Sequence, residues 1–443
     1  MKQRLAALAT ALRLPDVRQR IFFVMAMFAV YAGCAHVPMP GVDIEKLANL
    51  FQGGNIFELF NTFVGGSLKR FSVLALGIMP YINASIIMQL LVMAIPQLEQ
   101  LQKEGEYGQK KINAWTKYMT VGLAVIQAAG MITWFRSAGA YSGGWLDTIF
   151  GILMMTAGTS FLMWLGDMIT TKGIGQGISL IIFVGIMTSI PQQVAQTVVL
   201  YAGREIGLAN IAFLLLIFLG TIYGIVKVQQ AQRKIPVQYA KRVKGNKVWG
   251  GQTTFLPLRV NQAGVIPIIF AISVVMFPAT IASFLNSPNF VEGVARILPV
   301  TPDQVHNAIA AMVDFTTPGR NWFASLLYFA MVVVFTYFYT AVTFNPEQIA
   351  ENLQKNGGAI PGIRPGERTR DYLDKILYRI TLAGAIFLGI IALMQYYVGD
   401  ITGVRTFGLV GGTSLLIVVG VALDTMQQVE AQLLMRHYKG FLS

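Results

Sequence analysis

Few residues in this chain have the types and spacings that chemistry at a site requires. Its 443 residues include one cysteine, Cys34, and three scattered histidines, His36, His306 and His437. One cysteine excludes an intramolecular disulfide and any metal centre built on several cysteines. No nucleophile stands beside a base in a known motif, and no HExxH zinc motif occurs. The sequence therefore predicts no catalytic residue, no metal site and no cofactor, and we expect the chain not to be an enzyme.

The glycine-rich segment 173–177 (GIGQG) is the stretch most similar to a phosphate-binding loop. Such a loop needs a strand before it and a helix after it, so that backbone N–H groups converge on the phosphates. Here the segment joins two long apolar runs. We interpret it as a flexible connector between two membrane helices.

Long apolar segments are the elements that would position any site. Hydrophobic residues make up 54% of the chain and charged residues 12%, whereas about 25% charged residues is usual in soluble proteins. A membrane helix needs roughly 20 apolar residues, and continuous apolar runs favour helices over a β-barrel. Ten windows, called spans 1 to 10, contain no Asp, Glu, Lys or Arg apart from Asp147 at one edge, and they are residues 21–40, 71–98, 118–135, 146–166, 173–203, 206–226, 260–291, 321–346, 380–399 and 406–423.

The basic residues predict the orientation of the spans. With the amino terminus in the cytoplasm, 26 of the 34 Lys and Arg residues fall on the cytoplasmic side and 8 fall outside, while the acidic residues divide more evenly, 12 to 9. Lys and Arg are retained in short cytoplasmic loops. Both termini are therefore expected in the cytoplasm. The net charge of +13 mainly reflects this topology, and contact with anionic lipid or RNA is a further use of it.

The spans contain no ionisable group near mid-membrane. Asp167 and Asp424 lie at the cytoplasmic ends of spans 4 and 10, where water reaches them. Ion-coupled transporters need ionisable groups inside the membrane to bind the coupling ion. A passive pore lined by neutral side chains fits better, and a small-solute transporter with neutral coupling is the competing class. The polar residues inside the spans include Asn83, Gln89, Gln127 and Ser273.

Spans 2 and 7 share a short motif. Residues 77–84 (GIMPYINA) and 264–271 (GVIPIIFA) agree at four of eight positions. In membrane proteins with inverted repeats, helices interrupted by proline or glycine at corresponding places mark the functional centre. We expect the shared proline to weaken each helix near the shared isoleucine.

The loop 227–259 is a candidate contact surface on the cytoplasmic side. It carries eight basic residues and no acidic one. Strand-like patterns on both sides of residues 244–246 predict a projecting basic hairpin. A solvated loop that only retains positive charge inside is the alternative.

The loop 347–379 is the second candidate. It begins with a short amphipathic helix around Ile349 and Leu353 and continues into the turn 361–366 (PGIRPG). Two prolines and two glycines within six residues predict a rigid tip that presents Arg364 at low entropic cost. A tight connector without a partner is the alternative.

The stretch before span 2 contains the short amphipathic segment 55–63 (NIFELFNTF), which is followed by Gly65 and Gly66. The segment is too short to cross a membrane. A half-helix with a glycine break favours a re-entrant element shielded inside a cavity, and a helix lying on the outer surface is the alternative.

Eight strings occur in a fixed order along essentially the whole chain: ALGIMPYINASIIMQLL, KEGE, GIGQGISLIIF, RKIPVQYAKR, AGVIPIIFA, FYTAVTFNP, PGIRPGERT and GGTSLLIVVGVALD. Together they resemble the bacterial SecY family. A series of motifs in order is far more specific than any single one.

The resemblance implies an all-α integral membrane protein. Ten transmembrane helices would form two inverted five-helix halves, residues 1–205 and 206–443, hinged between spans 5 and 6 and accompanied by a short re-entrant plug helix. Such a channel in the bacterial inner membrane passes unfolded secretory polypeptides and releases transmembrane segments sideways through a lateral gate between spans 2 and 7. The resemblance places at this gate Pro80, Asn83, Gln89, Gln127, Pro267 and Ser273.

The resemblance also assigns a pore ring and a plug. Branched aliphatic side chains can seal around an extended chain of any sequence and offer it no hydrogen bonds, although core packing would explain the same residues without the family. The pore ring is expected at Ile78, Ile82, Ile178, Ile182, Ile269 and Ile417. The plug, at about residues 55–70, would close the outer funnel at rest through Asn55, Phe57, Phe60, Asn61, Phe63, Gly65, Gly66 and Arg70.

The two cytoplasmic loops are expected to dock the SecA ATPase and the ribosome, which drive transport. The docking residues implied are Arg233, Lys234, Lys241, Arg242, Lys244, Lys247, Arg364 and Arg368. Further partners implied by the resemblance are SecE and SecG in a heterotrimer, signal peptides and nascent membrane segments, anionic lipid, and SecDF and YidC.

Overall fold

The computed structural model describes residues 14–43, 65–68, 70–137, 139–239, 242–244, 247–249, 253–285, 301–404 and 412–439. These residues form thirteen helices and five short strands. The helices, in chain order, are α1 (Pro15–Ala35), α2 (Met79–Ala94), α3 (Pro96–Lys103), α4 (Glu106–Ser137), α5 (Trp145–Lys172), α6 (Gly177–Ala202), α7 (Leu208–Gln230), α8 (Ile266–Leu285), α9 (Pro302–Thr316), α10 (Trp322–Thr343), α11 (Pro346–Lys355), α12 (Glu367–Thr402) and α13 (Thr413–Lys439).

Each predicted span overlaps one of these helices. Spans 1 to 10 correspond to α1, α2, α4, α5, α6, α7, α8, α10, α12 and α13. Within the described part of the chain, eight helices are long and apolar enough to cross a membrane, and a ninth crossing results if the bent pair α2 and α3 counts as one. Helix α8 adds an apolar segment at span 7.

The predicted limits of span 2 are wrong at both ends. Residues 71–78 form consecutive turns, and the helix begins only at Met79. At the other end the chain is extended at Ile95, and α3 leaves α2 at an angle of 100°. The apolar run is therefore longer than the helix because its first part serves as a buried entry segment, with Phe71 and Leu74 almost fully enclosed.

The shared motif of spans 2 and 7 marks the start of a helix rather than a weak point within one. Gly77 and Gly264 both adopt positive φ, +55° and +66°, a conformation that glycine reaches at no steric cost. Pro80 and Pro267 then occupy the second helical position, where the missing N–H of proline would have had no helical partner. The expectation that these prolines weaken their helices is therefore wrong.

The entry segment before α2 is tied to the end of α1 and to α5. The Met39 N–H donates to the Phe71 carbonyl oxygen at 2.9 Å, and Pro38 and Ser72 form an isolated antiparallel bridge. On α5, a Cβ added to Gly158 would lie 2.2 Å from the Val73 carbonyl oxygen. This close backbone approach fixes where α2 starts.

The predicted basic hairpin is confirmed. Strand β1 (Gln232–Tyr239) pairs antiparallel with β4 (Thr253–Arg259), while β2 (Arg242–Lys244) and β3 (Lys247–Trp249) continue the hairpin toward its tip. A fifth strand, β5 (Gly358–Ala359), comes from the other loop and pairs with the free edge of β1. We call this end of the helix bundle the hairpin face.

A small apolar core joins the two loops at the hairpin face. Ile235 and Val237 of β1 and Leu258 of β4 pack with Ile360 and with Leu373 of α12. Both loops therefore form one folded unit, which the sequence reading of two separate loops did not predict.

Candidate functional site

Six isoleucines, from four helices and the turn before α2, surround one small cavity inside the bundle. The cavity has a volume of about 20 Å³, which is room for about one water molecule. Its lining is almost wholly apolar and consists of Ile78, Met79, Ile82, Ile182, Ile269, Ile272, Thr413 and Ile417. The site can therefore exclude water and ions, and it offers a passing chain almost no hydrogen-bonding group.

The helix starts described above position the isoleucines of α2 and α8. Ile78 directly follows Gly77, whose carbonyl oxygen accepts a hydrogen bond from Thr159 Oγ1 at 3.3 Å. The corresponding carbonyl of Gly264 accepts from Asn261 Nδ2 at 2.9 Å. Each glycine turn is thus held by a polar side chain, and each helix then presents an isoleucine, Ile82 or Ile269, one turn further on.

Helices α6 and α13 complete the enclosure. Ile182 and Ile417 are 8% and 3% exposed and belong to the main apolar core together with residues of α5, α8, α10 and α12. The apolar cavity wall is therefore continuous with the core, so that a change in helix packing would change the opening.

Ile178 is the one member of the predicted pore ring that does not line the cavity. It lies a turn before Ile182 on α6, and its side chain comes within 3.2 Å of the point where Gly166 of α5 would carry a Cβ. The structure therefore brings together five of the six predicted residues, and it adds Met79, Ile272 and Thr413. Met79 is adjacent in sequence to a predicted residue, and Ile272 and Thr413 each lie one helical turn away from one.

The predicted gate residues lie on α2, α4 and α8, and two of them have buried polar atoms without a hydrogen bond. Gln89 Oε1 and Ser273 Oγ are both buried and form no hydrogen bond, so these two side chains do not bond to each other. Asn83 and Gln127 are half-buried. Neither Gln89 Oε1 nor Ser273 Oγ therefore makes a polar contact across the predicted gate in this conformation.

A polar cavity near the hairpin face was not predicted. It has a volume of about 380 Å³ and lies among α2, α3, α4 and α10. Carboxamide and hydroxyl groups dominate its polar lining, which comprises Ser85, Gln89, Gln102, Gln109, Asn113, Thr116, Tyr339 and Thr343. Scattered Gln and Asn residues gave no sequence signal, because the bend between α2 and α3 is what brings them together.

Part of the predicted plug can be placed. Gly65 and Gly66 are buried and have positive φ, and a Cβ on Gly65 would lie 2.5 Å from Thr188 Oγ1 of α6 and 2.8 Å from the Gly185 carbonyl oxygen. Arg70 is half-buried in the turn that follows. The remaining plug residues, Asn55, Phe57, Phe60, Asn61 and Phe63, lie outside the described residues.

Basic side chains are exposed on the joined loops. Arg364 sits at the tip between Pro361 and α12, and its carbonyl oxygen accepts a hydrogen bond from Thr369 Oγ1 at 3.0 Å. The tip is therefore anchored to the first turn of α12. The predicted docking residues with exposed side chains are Arg233, Lys234, Arg364 and Arg368. Arg242, Lys244 and Lys247 lie on strands β2 and β3, and Lys241 lies outside the described residues.

The short helix predicted around Ile349 and Leu353 is confirmed as α11. Asn345 Oδ1 accepts hydrogen bonds from the N–H groups of Glu347 and Gln348, at 3.1 and 3.2 Å, and Pro346 occupies the first helical position. This capped helix packs beside β5 and so braces the base of the tip.

The family model described as SecY matches residues 72–426. The chain is 44% identical to the protein translocase subunit SecY of Halalkalibacterium halodurans, over 97% of this chain and 98% of the relative. It is 42% identical to the protein of the same name from Thermus thermophilus, over 99% and 98% of the two chains.

Solved structures with the same fold are more distant in sequence. A protein-conducting channel matches with a TM-score of 0.63 at 18% identity, over 95% of this chain and 93% of the other. A SecY structure concerned with the plug domain matches with a TM-score of 0.60 at 19% identity and the same coverage. Sec61 from a canine ribosome-channel complex matches with a TM-score of 0.59 at 17% identity, again over 95% and 93%.

Replacing Ile417 by glycine should make a membrane that contains the protein leak ions at rest. The substitution removes a 3% exposed side chain from a cavity that has room for only about one water molecule, and a widened apolar constriction fills with water. Ion leakage from protein-containing vesicles measures the effect. Ile178→Gly is the matched control on the non-lining isoleucine and should leak less. Equal leakage from the two variants would contradict the assignment of the constriction.

Proposed function

The chain belongs to the SecY family, and we propose that it is the channel through which unfolded secretory polypeptides cross the bacterial inner membrane. The isoleucine-lined constriction is the observation that carries this proposal. A transported chain brings every kind of side chain, so a channel wall that binds none of them strongly is required. As a member of a family of translocase subunits, the protein is not an enzyme.

The seal at rest follows from the geometry of the constriction. Four helices each contribute at least one branched aliphatic side chain to a cavity with a volume of about 20 Å³. A narrow apolar constriction closes a pore by excluding water. During transport the same side chains would pack around an extended polypeptide. Dispersion contacts between the isoleucines and the polypeptide would maintain this packing, and such contacts do not depend on the sequence of the polypeptide.

The lateral gate is proposed between α2 and α8. Both helices follow a glycine with positive φ and have proline at their second position. They line the same cavity, α2 with Ile82 and the preceding Ile78, and α8 with Ile269 and Ile272. Separation of the two helices would open the pore sideways, toward the lipid. Signal peptides and nascent membrane segments are the proposed ligands of this opening.

The stretch 55–70 is proposed as the plug. Its described end, at Gly65 and Gly66, packs against α6, one of the helices that carries the constriction. Positive φ at two consecutive glycines provides a place where the preceding segment can swing without strain. A protein with this fold is described as having a plug domain that stabilises the closed state and maintains a membrane seal.

The hairpin face is proposed as the docking surface for the SecA ATPase and the ribosome. Its two loops form one unit through β1, β4 and β5, and exposed basic side chains project from it. Such charge suits an acidic partner surface or RNA. One protein with this fold was solved in a ribosome-channel complex. SecE and SecG, as constant subunits, and anionic lipid, SecDF and YidC are further proposed partners.

The orientation and division of the protein are also proposals. The distribution of positive charges supports an orientation with the hairpin face and both termini in the cytoplasm. Residues 1–205 and 206–443 would form two halves hinged between α6 and α7, where the short connection includes Arg204 in a left-handed conformation, φ +60°. Movement at this connection would separate α2 from α8.

Reconstitution tests the channel function directly. Vesicles that contain this chain with SecE- and SecG-like subunits, SecA and ATP should import a precursor with a signal peptide, as protease protection of the precursor would measure. A small-solute transporter would leave the precursor accessible. Failure to import would contradict the proposed function, whereas import without the chain would show that another component forms the pore.

Deleting residues 61–66 should raise resting ion leakage and leave precursor import in place. A plug seals the pore, but it does not push the polypeptide. Electrical conductance across a planar bilayer, measured without precursor, reports the leak. If conductance stays at the wild-type level while import continues, the assignment of this stretch as the plug is wrong.

Replacing Arg364 by glutamate should strongly reduce import driven by SecA or by the ribosome. The side chain lies on a tip that Thr369 anchors, so the reversed charge would face the partner directly. Import rate and binding of SecA to vesicles are the measurements. Lys110→Glu is the matched control, because Lys110 is exposed and takes part only in a surface pair with Glu106, which contributes little. Normal import by the Arg364 variant would refute the docking role.

A further inference from the structure

Asp167 and Asp424 lie at the ends of spans 4 and 10 that are nearer the hairpin face, and their surroundings differ. Asp167 of α5 forms an ion pair with Lys117 of α4. Asp424 of α13 has no hydrogen bond and no ion pair within 4 Å among the described residues. Arg259, at the end of β4, acts on Asp424 electrostatically, but its guanidinium donates to Gln427 Oε1 at 2.9 Å instead.

Asp424 faces a cavity of about 280 Å³ between α6 and α13. The side chain is solvent-accessible there. The other lining residues are neutral and are Gln176, Ser179, Val421, Thr425, Gln427, Gln428 and Ala431. Asp424 is therefore the single charged group of this wall.

The cavity continues the wall of the constriction toward the hairpin face. On α13, Val421, Asp424 and Gln428 follow Ile417 at four, seven and eleven residues, a spacing that places all four on one face of a helix. Seven residues correspond to about 10 Å along the axis. On α6, Ser179 likewise lies one turn before Ile182. Both helices thus change from isoleucine at the constriction to polar groups at the mouth.

An unpaired carboxylate at this depth needs an explanation. Ionisable residues inside membrane helices that face a water-filled cavity usually mark the path of a substrate or ion. The loops around this mouth are strongly basic. Their positive potential alone would attract acidic segments of a transported chain and repel its lysine and arginine side chains. A carboxylate on the wall opposes that field at the point where the chain enters the narrow part.

We propose that Asp424 makes the hairpin-side mouth of the pore attract cationic groups, and that it thereby eases the entry of lysine and arginine side chains of the transported polypeptide. This inference rests on the proposed channel function. It assigns to Asp424 a role in charge selectivity that is separate from sealing, since the residue lies about two helical turns away from Ile417.

Ion selectivity tests the proposal, with potassium and chloride as probes of the field that a lysine or glutamate side chain would meet. Purified channels in planar bilayers are opened by deleting residues 61–66 or by adding a synthetic signal peptide. Reversal potentials in a salt gradient then give the permeability ratio of potassium to chloride. Asp424→Asn should lower this ratio by roughly two- to fivefold, because one fixed charge within a Debye length is removed. Asp424→Lys should lower it further.

Two further variants separate charge from structure. Asp424→Glu keeps the carboxylate and should retain the wild-type ratio. Glu351→Gln removes a negative charge from α11, also near the hairpin face, where Glu351 is exposed and pairs with Lys355, and it should leave the ratio unchanged. A wild-type ratio in Asp424→Asn, or an equal fall in Glu351→Gln, would overturn the inference. If neither way of opening gave any current, the channel function itself would be refuted.

Discussion

The contact among isoleucines from α2, α6, α8 and α13 is the constraint on which the rest of the structure depends. The bundle must keep water and ions out at rest, yet it must not hold the chain that later passes. Directional polar contacts would close the path but would also pin the substrate. Aliphatic contact closes the path without holding the substrate. It requires the four helices to be placed accurately, because an apolar constriction excludes water and ions only while it stays narrow.

Several local features around the constriction position these four helices. Gly77 and Gly264 turn the chain sharply, and Pro80 and Pro267 start the next helix with a fixed φ, so that Ile82 and Ile269 arrive at defined positions. The tight approach of Gly158 to Val73 fixes the entry segment of α2 from the side. At the hairpin face, β5 joins the loop before α12 to β1, so a force applied to Arg364 at the tip is transmitted to helices rather than lost in a flexible loop.

Much of this architecture could be predicted from the sequence, because apolar runs in a membrane have few structural solutions. The ten spans, the basic hairpin and the short helix α11 follow from patterns that are local in the sequence. The start of α2, the displacement of Ile178 and the joint sheet could not be predicted in this way. Each depends on contacts between distant segments, such as Gly158 with Val73, Ile178 with Gly166, and Gln238 with Ala359. Ser85 and Gln109 likewise share a cavity only because α3 turns away from α2.

The unsatisfied polar atoms on the proposed gate bear on how easily it opens. Gln89 Oε1 and Ser273 Oγ lie on α2 and α8, and both are buried without partners. A buried polar atom that lacks a hydrogen bond costs about 1–3 kcal/mol. This cost is present only in the closed arrangement, because separation of the two helices exposes the atoms to water or to the backbone of an entering segment. In the arrangement described, the two helices of the proposed gate are therefore held together by apolar packing, and these two unpaired polar atoms weaken that hold.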